Sequence, residues 1–257
     1  MVVPKTALVT GAGRRLGLAF AEALAADGWS VAFHVNSSAD RAQQAVNAIT
    51  GNGGTAVVIK ADLSHSAQAS ALVDRAVAEL GPLGLLINNA AIFEPDSVRN
   101  GDLATIEANL SINLVAPMLL TRSFAQQLPA DACGQVVNIL DQRVTNPTPH
   151  YMSYTAAKMA LSAMTRTWAT DLAPRIRVNG LAPGMALPNH GDDEAGMKFW
   201  TDGYPLRRGT SPEELCDALR YLLSAPAVTG QTLILDGGQN LGWLHPEGGY
   251  PLKPGTP

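Results

Sequence analysis

Only two cysteines occur in the 257 residues, Cys133 and Cys216, and they fit no metal-ligand or thiol–disulfide spacing. A disulfide scaffold and a metal site are both excluded on this reading, and the thiols read as ordinary ones in a reducing compartment. Basic residues are in slight deficit, 18 Lys and Arg against 22 Asp and Glu, for a net charge of -4. That balance offers no electrostatic footprint for nucleic acid, so any bound anion must be met by a local feature. No segment reaches the roughly 20 apolar residues of a membrane span. The N-terminus, M-V-V-P-K-T-A-L-V-T, lacks the charged, apolar and cleavage regions of a signal peptide, and a cytoplasmic protein with no membrane contact is expected. No internal repeat is found. Aromatics are few, 5% against 46% hydrophobic residues overall, which points to small-residue helices packed on a sheet.

Short apolar runs alternate with amphipathic segments along the chain. Strands are predicted over residues 6–10, 30–35, 55–59, 83–87, 136–140, 176–181 and 231–235. Helices are predicted up to 27, up to about 50, over 65–80, over 103–128, from 154 onward and over 212–224. This alternation predicts an α/β fold: a single doubly wound Rossmann-like domain with a mostly seven-stranded parallel sheet and helices on both faces. The domain is expected over residues 1–238, with Met185 to Arg208 as a substrate-covering loop or short helical lid. The Gly- and Pro-rich tail, 239–257, is expected to pack on the body or on a neighbouring subunit.

The first strand runs into Gly11-Ala12-Gly13-Arg14-Arg15-Leu16-Gly17 and then a helix. Such a turn offers backbone N–H groups and a helix N-terminus to phosphate, although the glycine spacing is one residue longer than G-x-G-x-x-G. The second strand ends in Asn36-Ser37-Ser38, where an NAD-binding fold would place a carboxylate against the ribose hydroxyls. Without that acid, and with Arg14 or Arg15 to supply charge, a 2'-phosphate is accommodated; the same residues would also cap the next helix. NADP(H) is favoured over NAD(H). Asp62-Leu63 follows the third strand, either at an adenine edge or capping a helix, and Asn88-Asn89-Ala90 follows the fourth. Asn109 and Asn113 interrupt the long apolar helix, as structural hydrogen bonders or as the holders of a water chain.

Asp141 to Lys158 reads D-Q-R-V-T-N-P-T-P-H-Y-M-S-Y-T-A-A-K. Tyr154 and Lys158 stand four apart on a predicted helix and so share a face. On spacing alone the pair is more often an amphipathic surface pair. Set close together, the Lys ammonium is expected to lower the phenol's pKa and suit it to proton transfer near neutral pH.

In order, Thr10-Gly11 with Gly17, Asp62, Asn89-Ala90, Asn113, Tyr154-x-x-x-Lys158, Pro183-Gly184 and Asp236-Gly237-Gly238 resemble the short-chain dehydrogenase/reductase family. The resemblance implies that Tyr154 transfers the proton, Lys158 tunes it and holds the nicotinamide ribose, and Asn113 keeps a water relay. It implies a cofactor bordered by Gly11, Arg14, Arg15, Leu16, Gly17, Asn36, Ser37, Ser38, Asp62, Leu63, Asn89, Ala90, Tyr154, Lys158, Pro183 and Gly184, and a homotetramer. The rival phenol Tyr151 lies seven residues before Lys158 and is not selected by the motif.

Two departures stand out. Arg15 occupies a usual glycine position, and Asp141 a usual serine position thirteen residues before Tyr154. A serine hydroxyl donates to a carbonyl as negative charge develops; an ionised Asp cannot. Asp141 suits instead a ring C=N whose nitrogen gains a proton. Both departures resemble the pteridine reductase subfamily, in which an aromatic at the position of Phe93 sandwiches a pterin against the nicotinamide and Arg15 contacts phosphate and pterin. Dihydromonapterin reductases are similar. The expectation is NADPH-dependent reduction of a dihydropterin- or dihydrofolate-like ring, with Arg15, Phe93, Asp141 and Tyr154 at the substrate. Two rival readings are a 3-oxoacyl carrier-protein or general carbonyl reductase, and an NADP(H)-sensing regulator without turnover.

Overall fold

Along each strand, alternate side chains enter opposite layers, as the period of two requires. In the computed structural model, which describes residues 2–37, 39–188 and 194–241, the strands are β1 (Thr6–Val9), β2 (Ser30–Val35), β3 (Ala56–Lys60), β4 (Leu85–Asn88), β5 (Gly134–Ile139), β6 (Ile176–Pro183) and β7 (Thr232–Leu235). They form one sheet in the order β3-β2-β1-β4-β5-β6-β7, parallel throughout. The order reverses between β1 and β4, which opens a crevice at the carboxyl ends of those two strands.

The helices are α1 (Arg15–Ala26), α2 (Ala39–Gly51), α3 (Ser66–Leu80), α4 (Leu103–Leu110), α5 (Ala116–Gln127), α6 (Met152–Asp171), α7 (Glu194–Thr201) and α8 (Pro212–Ser224). Ala7, Val9, Val31 and Phe33 join one apolar layer with Phe20 and Leu24 of α1 and Leu215 and Leu219 of α8. Leu8, Ala32 and Leu86 join the other, with Leu72 of α3 and Leu120 and Phe124 of α5. The doubly wound parallel sheet expected from the sequence is thus the observed fold, with α7 as a short helix inside the 185–208 segment. Residues 189–193 of that segment and 242–257 of the expected tail lie outside the described residues. Where the tail begins, Asn240 N–H donates to Asp236 Oδ2 at 2.6 Å and Asn146 Nδ2 to Gln239 O at 3.2 Å, so residues 239–240 rest on the body.

The predicted helix over 103–128 differs in its middle. A single widened π turn, Ser111–Val115, separates α4 from α5. The cause is Asn113, whose Oδ1 accepts from Ile92 N (3.2 Å) and whose Nδ2 donates to Ile92 O (3.0 Å), drawing that turn toward the segment after β4. The helical run Leu103–Gln127 is also, by length and composition, apolar enough to cross a membrane, which corrects the sequence-based statement that no segment is. Its Leu120 and Phe124 are fully buried against α3, and Asn109 and Asn113 are hydrogen-bonded inside the protein, so one face of it packs in the core while Val115 and Met118 stay exposed.

Gly17, buried in the first turn of α1, shows how tightly that helix meets the turns that follow β1 and β4. A Cβ there would lie 2.2 Å from Gly11 O and 2.5 Å from Asn89 Nδ2. Gly17→Ala is therefore expected to destabilise the protein by about 1–3 kcal/mol, the usual cost of forcing a methyl group into a packed site. Thermal unfolding should show a midpoint lower by several degrees; an unchanged midpoint would mean that α1 sits more loosely than described.

Candidate active site

The crevice begins at the end of β1. Thr10 Oγ1 accepts from Asn89 N and Ala90 N, both at 2.9 Å, and donates to Ile87 O at 3.2 Å, while Asn89 Nδ2 donates to Thr10 O at 2.8 Å. The ends of β1 and β4 are thereby clamped together. Gly11 turns between them with φ +67°, and a Cβ on it would lie 2.9 Å from Ala90 Cα, so glycine is required here. Gly11 N–H donates to Nδ1 of buried His34 at 3.1 Å, which leaves the Nε2 hydrogen for Ala61 O at 3.1 Å. Burial pushes His34 down to about 4, keeping it neutral as this bonding requires. His34 gave no signal in sequence, where one His in an apolar strand reads as core.

Helix α1 starts with no side-chain cap from Arg14 and no acid in its first turn, so neither feature neutralises its N-terminal N–H groups. Arg15 holds φ +54°, a left-handed conformation that costs a non-glycine residue about 1–2 kcal/mol; this is the physical reason glycine is usual there. Its Nη1 donates to Pro188 O at 2.8 Å, tying the turn to the 185–208 segment. Leu16 is half-buried in the α1 layer. Exposed Asn36 and Ser37 follow β2, and Ser38 lies outside the described residues. Asp62 does not cap α3: its Oδ1 accepts from Ser64 N and Oγ at 2.9 and 2.7 Å, which holds its carboxyl below the usual range. Leu63 packs its side chain into the core. Pro183 ends β6, and Gly184 N–H donates to Leu235 O at 2.9 Å.

Asp141 follows β5 and caps a short turn, Gln142–Val144. Its Oδ1 accepts from Arg143 N (2.8 Å) and Arg143 Nη1 (3.3 Å), and its Oδ2 accepts from the Tyr154 hydroxyl at 3.1 Å. Tyr154 and Lys158 are buried on one face of α6, with Lys158 Nζ donating to Ile139 O at 2.7 Å and standing 5.7 Å from the Tyr154 ring centroid. Burial depresses Lys158 to about 8, with Asp141 opposing. The Tyr154 phenol is pushed well above its ordinary value, first by burial and then by Asp141, with Arg143 opposing. The expected lowering of this phenol by Lys158 is therefore reversed. The carboxylate bonds the phenolic proton directly, whereas the ammonium is turned to a backbone carbonyl.

Asn113 does not bond to Tyr154 or Lys158. Its side chain joins Ile92 and, at 3.4 Å, Asn109 Oδ1, while Asn109 Nδ2 donates to Ser153 Oγ at 2.8 Å. Buried Asp96 completes this chain by accepting Ser153 N at both carboxylate oxygens, 3.1 Å each, which caps the N-terminus of α6. The segment carrying Phe93 is so fastened to the helix carrying Tyr154. Phe93 stacks on Tyr151 with ring centroids 3.8 Å apart and planes 8° from parallel, and meets Tyr154 edge-on at 4.7 Å. Tyr151, at φ +60°, thus belongs to the aromatic wall, a part the spacing rule did not show. Arg143, also missed, lies 5.1 and 5.3 Å from the two stacked centroids, level with the gap between the rings.

Comparison with known proteins agrees with this architecture. Residues 5–195 match the sequence profile described as short chain dehydrogenase. Pteridine reductase 1 of Leishmania tarentolae is 32% identical, over 91% of this chain and 96% of its own. A 3-oxoacyl-[acyl-carrier-protein] reductase of Synechocystis is 31% identical, over 91% and 96%. The crystal structure of FolM alternative dihydrofolate reductase 1 from Brucella canis, complexed with NADP, superposes with a TM-score of 0.91 at 40% identity, over 96% of this chain and 98% of that one. The chain belongs to the short-chain dehydrogenase/reductase family of oxidoreductases and resembles its pteridine reductase subfamily.

Proposed function

We propose that this oxidoreductase uses NADPH to reduce a pterin ring of the dihydropterin, dihydromonapterin or dihydrofolate kind to its tetrahydro form. The observation that carries the reading is the Asp141 carboxylate, 3.1 Å from the Tyr154 hydroxyl, where a carbonyl reductase would offer a hydroxyl donor. The donor set fits the cofactor. The α1 N-terminus lacks a side-chain cap, exposed Asn36 and Ser37, neither of them an acid, follow β2, and buried Lys158 gives one N–H to Ile139 O, leaving two for ribose hydroxyls. Arg14 and Arg15 add charge for phosphate, and the remaining border is Gly11, Leu16, Gly17, Asp62, Leu63, Asn89, Ala90, Pro183 and Gly184. When bound, NADPH supplies the hydride.

The chain's own residues do the rest. A C–H bond forms at the ring carbon of C=N and an N–H bond at its nitrogen, so one proton must be delivered. Tyr154, kept protonated by burial and by Asp141, donates it directly or through a water held by Asp141. Lys158, cationic below about 8, offsets the developing phenolate. Phe93 and Arg15 border the ring, and Asn113 fixes the wall behind it. The FolM neighbours crystallised with NADP and the Leishmania relative support this reading. Residues 1–238 carry the activity as one domain, in a cytoplasmic homotetramer. Exposed Val115 and Met118, on the helical run 103–127, and Met159, on α6, suit subunit contact.

A substrate panel followed by loss of NADPH absorbance tests the proposal. Turnover of dihydrobiopterin, dihydromonapterin or dihydrofolate is expected, faster with NADPH than with NADH. Ready consumption of 3-oxoacyl thioesters with none of these pterins reduced would overturn it and favour the carbonyl reductase reading that the Synechocystis relative suggests.

A further inference from the structure

We propose that Arg143 is a positioning residue for Asp141, the counter-ion that lets a carboxylate stand beside the proton-donating Tyr154. The proposal rests on the reading of Tyr154 as proton donor. Arg143 holds one carboxylate oxygen twice, through its backbone N–H at 2.8 Å and its guanidinium Nη1 at 3.3 Å, and so leaves the other oxygen for the phenol. The guanidinium is itself fixed. Nε donates to Thr148 Oγ1 at 3.4 Å, and both side chains of the ion pair are only 17% exposed, where a charge pair is weakly screened.

Charge balance gives the reason such a residue is needed. With a neutral hydroxyl at position 141, a protonated Tyr154 beside Lys158 would carry one net positive charge, and donation of the phenolic proton would leave a neutral pair. With Asp141 in that place and no partner, donation would create a phenolate about 3 Å from a carboxylate with a single cation to serve both, which like-charge repulsion opposes. Arg143 restores the balance: Asp141 and Arg143 cancel, and Lys158 is again free to serve the phenolate. The sign agrees with the electrostatics of the phenol, which Asp141 pushes up and Arg143 pulls down. Other groups do not replace it. On the segment after β4 that packs against Tyr154, the Asp96 carboxylate accepts from Ser153 N and Glu94 is exposed, while Phe93 and the nearby Tyr151 offer stacked rings and no cation. Lys158, on α6 itself, stands 5.7 Å from the Tyr154 ring centroid and is the cation left to serve the phenolate.

The two-residue offset is what makes the arrangement possible. Asp141 caps the turn that Arg143 lies in, so the backbone bond that closes the turn also delivers the guanidinium to the same oxygen. The stacked Phe93 and Tyr151 rings then stand beside the guanidinium and restrict where it can go.

A double-mutant cycle on the full-length enzyme with NADPH tests the inference. Arg143→Gln is expected to lower kcat roughly ten- to a hundredfold, the range for losing a hydrogen bond to a charged group, with little change in KM. Arg143→Lys, which keeps the charge, should recover most of that loss. In an Asp141→Asn background, Arg143→Gln should cost no more than about threefold, since the charge it balances is gone. Equal costs in both backgrounds, or a lysine variant no better than glutamine, would overturn the proposal, as would a Tyr154→Phe enzyme that loses less than about tenfold in kcat. Thermal midpoints of all variants separate misfolding from the coupling. If no dihydropterin is turned over by the unsubstituted enzyme, the pterin reading fails by itself, and the same cycle run on whichever ketone is reduced still decides the role of Arg143.

Discussion

Replacing Tyr154 by Phe is expected to lower kcat for pterin reduction by about 10²- to 10⁴-fold while leaving NADPH affinity within a few-fold of the original. The substitution removes one oxygen from a ring that keeps its packing against Phe93, so the loss falls on proton delivery. Stopped-flow turnover with binding followed by NADPH fluorescence separates the two quantities. A variant retaining more than a tenth of the activity would remove Tyr154 from the reaction and shift attention to a water beside Asp141. The pH dependence has a fixed sign as well. Lys158 is charged below about 8 and loses its proton above it, so kcat/KM for the free enzyme should fall as pH rises through that value. Because Asp141 raises the Lys158 pKa, neutralising it as Asn should move this alkaline limb to lower pH.

What the sequence disclosed follows from range of interaction. Strands β1 to β7 and the helices between them are local patterns of apolar residues, and the seven-stranded parallel sheet follows from their alternation. Tyr154 and Lys158 could be grouped because they share a helix face, and Asp141 joined them through the family resemblance, which places a usual serine thirteen residues before the Tyr. His34 could not be found this way. Its meaning lies in Gly11 N–H and Ala61 O, contributed by other segments, and nothing in the run Ser30–Val35 distinguishes a loop-locking imidazole from a core one. Asp96 was invisible for the same reason: it caps a helix that begins 56 residues later, a service usually read from the residue just before a helix, and Tyr151, the residue that stands there, provides no cap. The direction of the Tyr154 shift was misjudged because helix spacing puts Lys158 on the right face without saying which oxygen its ammonium will reach. Sequence proximity gave the neighbours; only the fold gave the bonds.

Asp141→Ser is expected to exchange one substrate class for another. A serine hydroxyl can donate to a carbonyl oxygen as it becomes negative, which the carboxylate cannot, so reduction of simple activated ketones should rise while pterin turnover falls by roughly ten- to a hundredfold. The fall on the pterin side has two sources: loss of the group that keeps Tyr154 protonated and hydrogen-bonded, and loss of an acceptor for ring N–H groups. The rise on the ketone side should be incomplete, because the substitution leaves the Arg143 guanidinium beside the site without its carboxylate. A second change, Arg143→Gln, then removes a cation that no longer has a function, and the double variant should reduce ketones at least as well as the single one. Ratios of kcat/KM for dihydrobiopterin and an activated ketone, measured in the parent, single and double variants, test each step. Higher pterin activity in Asp141→Ser would show that the carboxylate hinders the reaction it is here assigned to serve. A ketone rate lower in the double variant would instead show Arg143 acting on the substrate directly and not through Asp141.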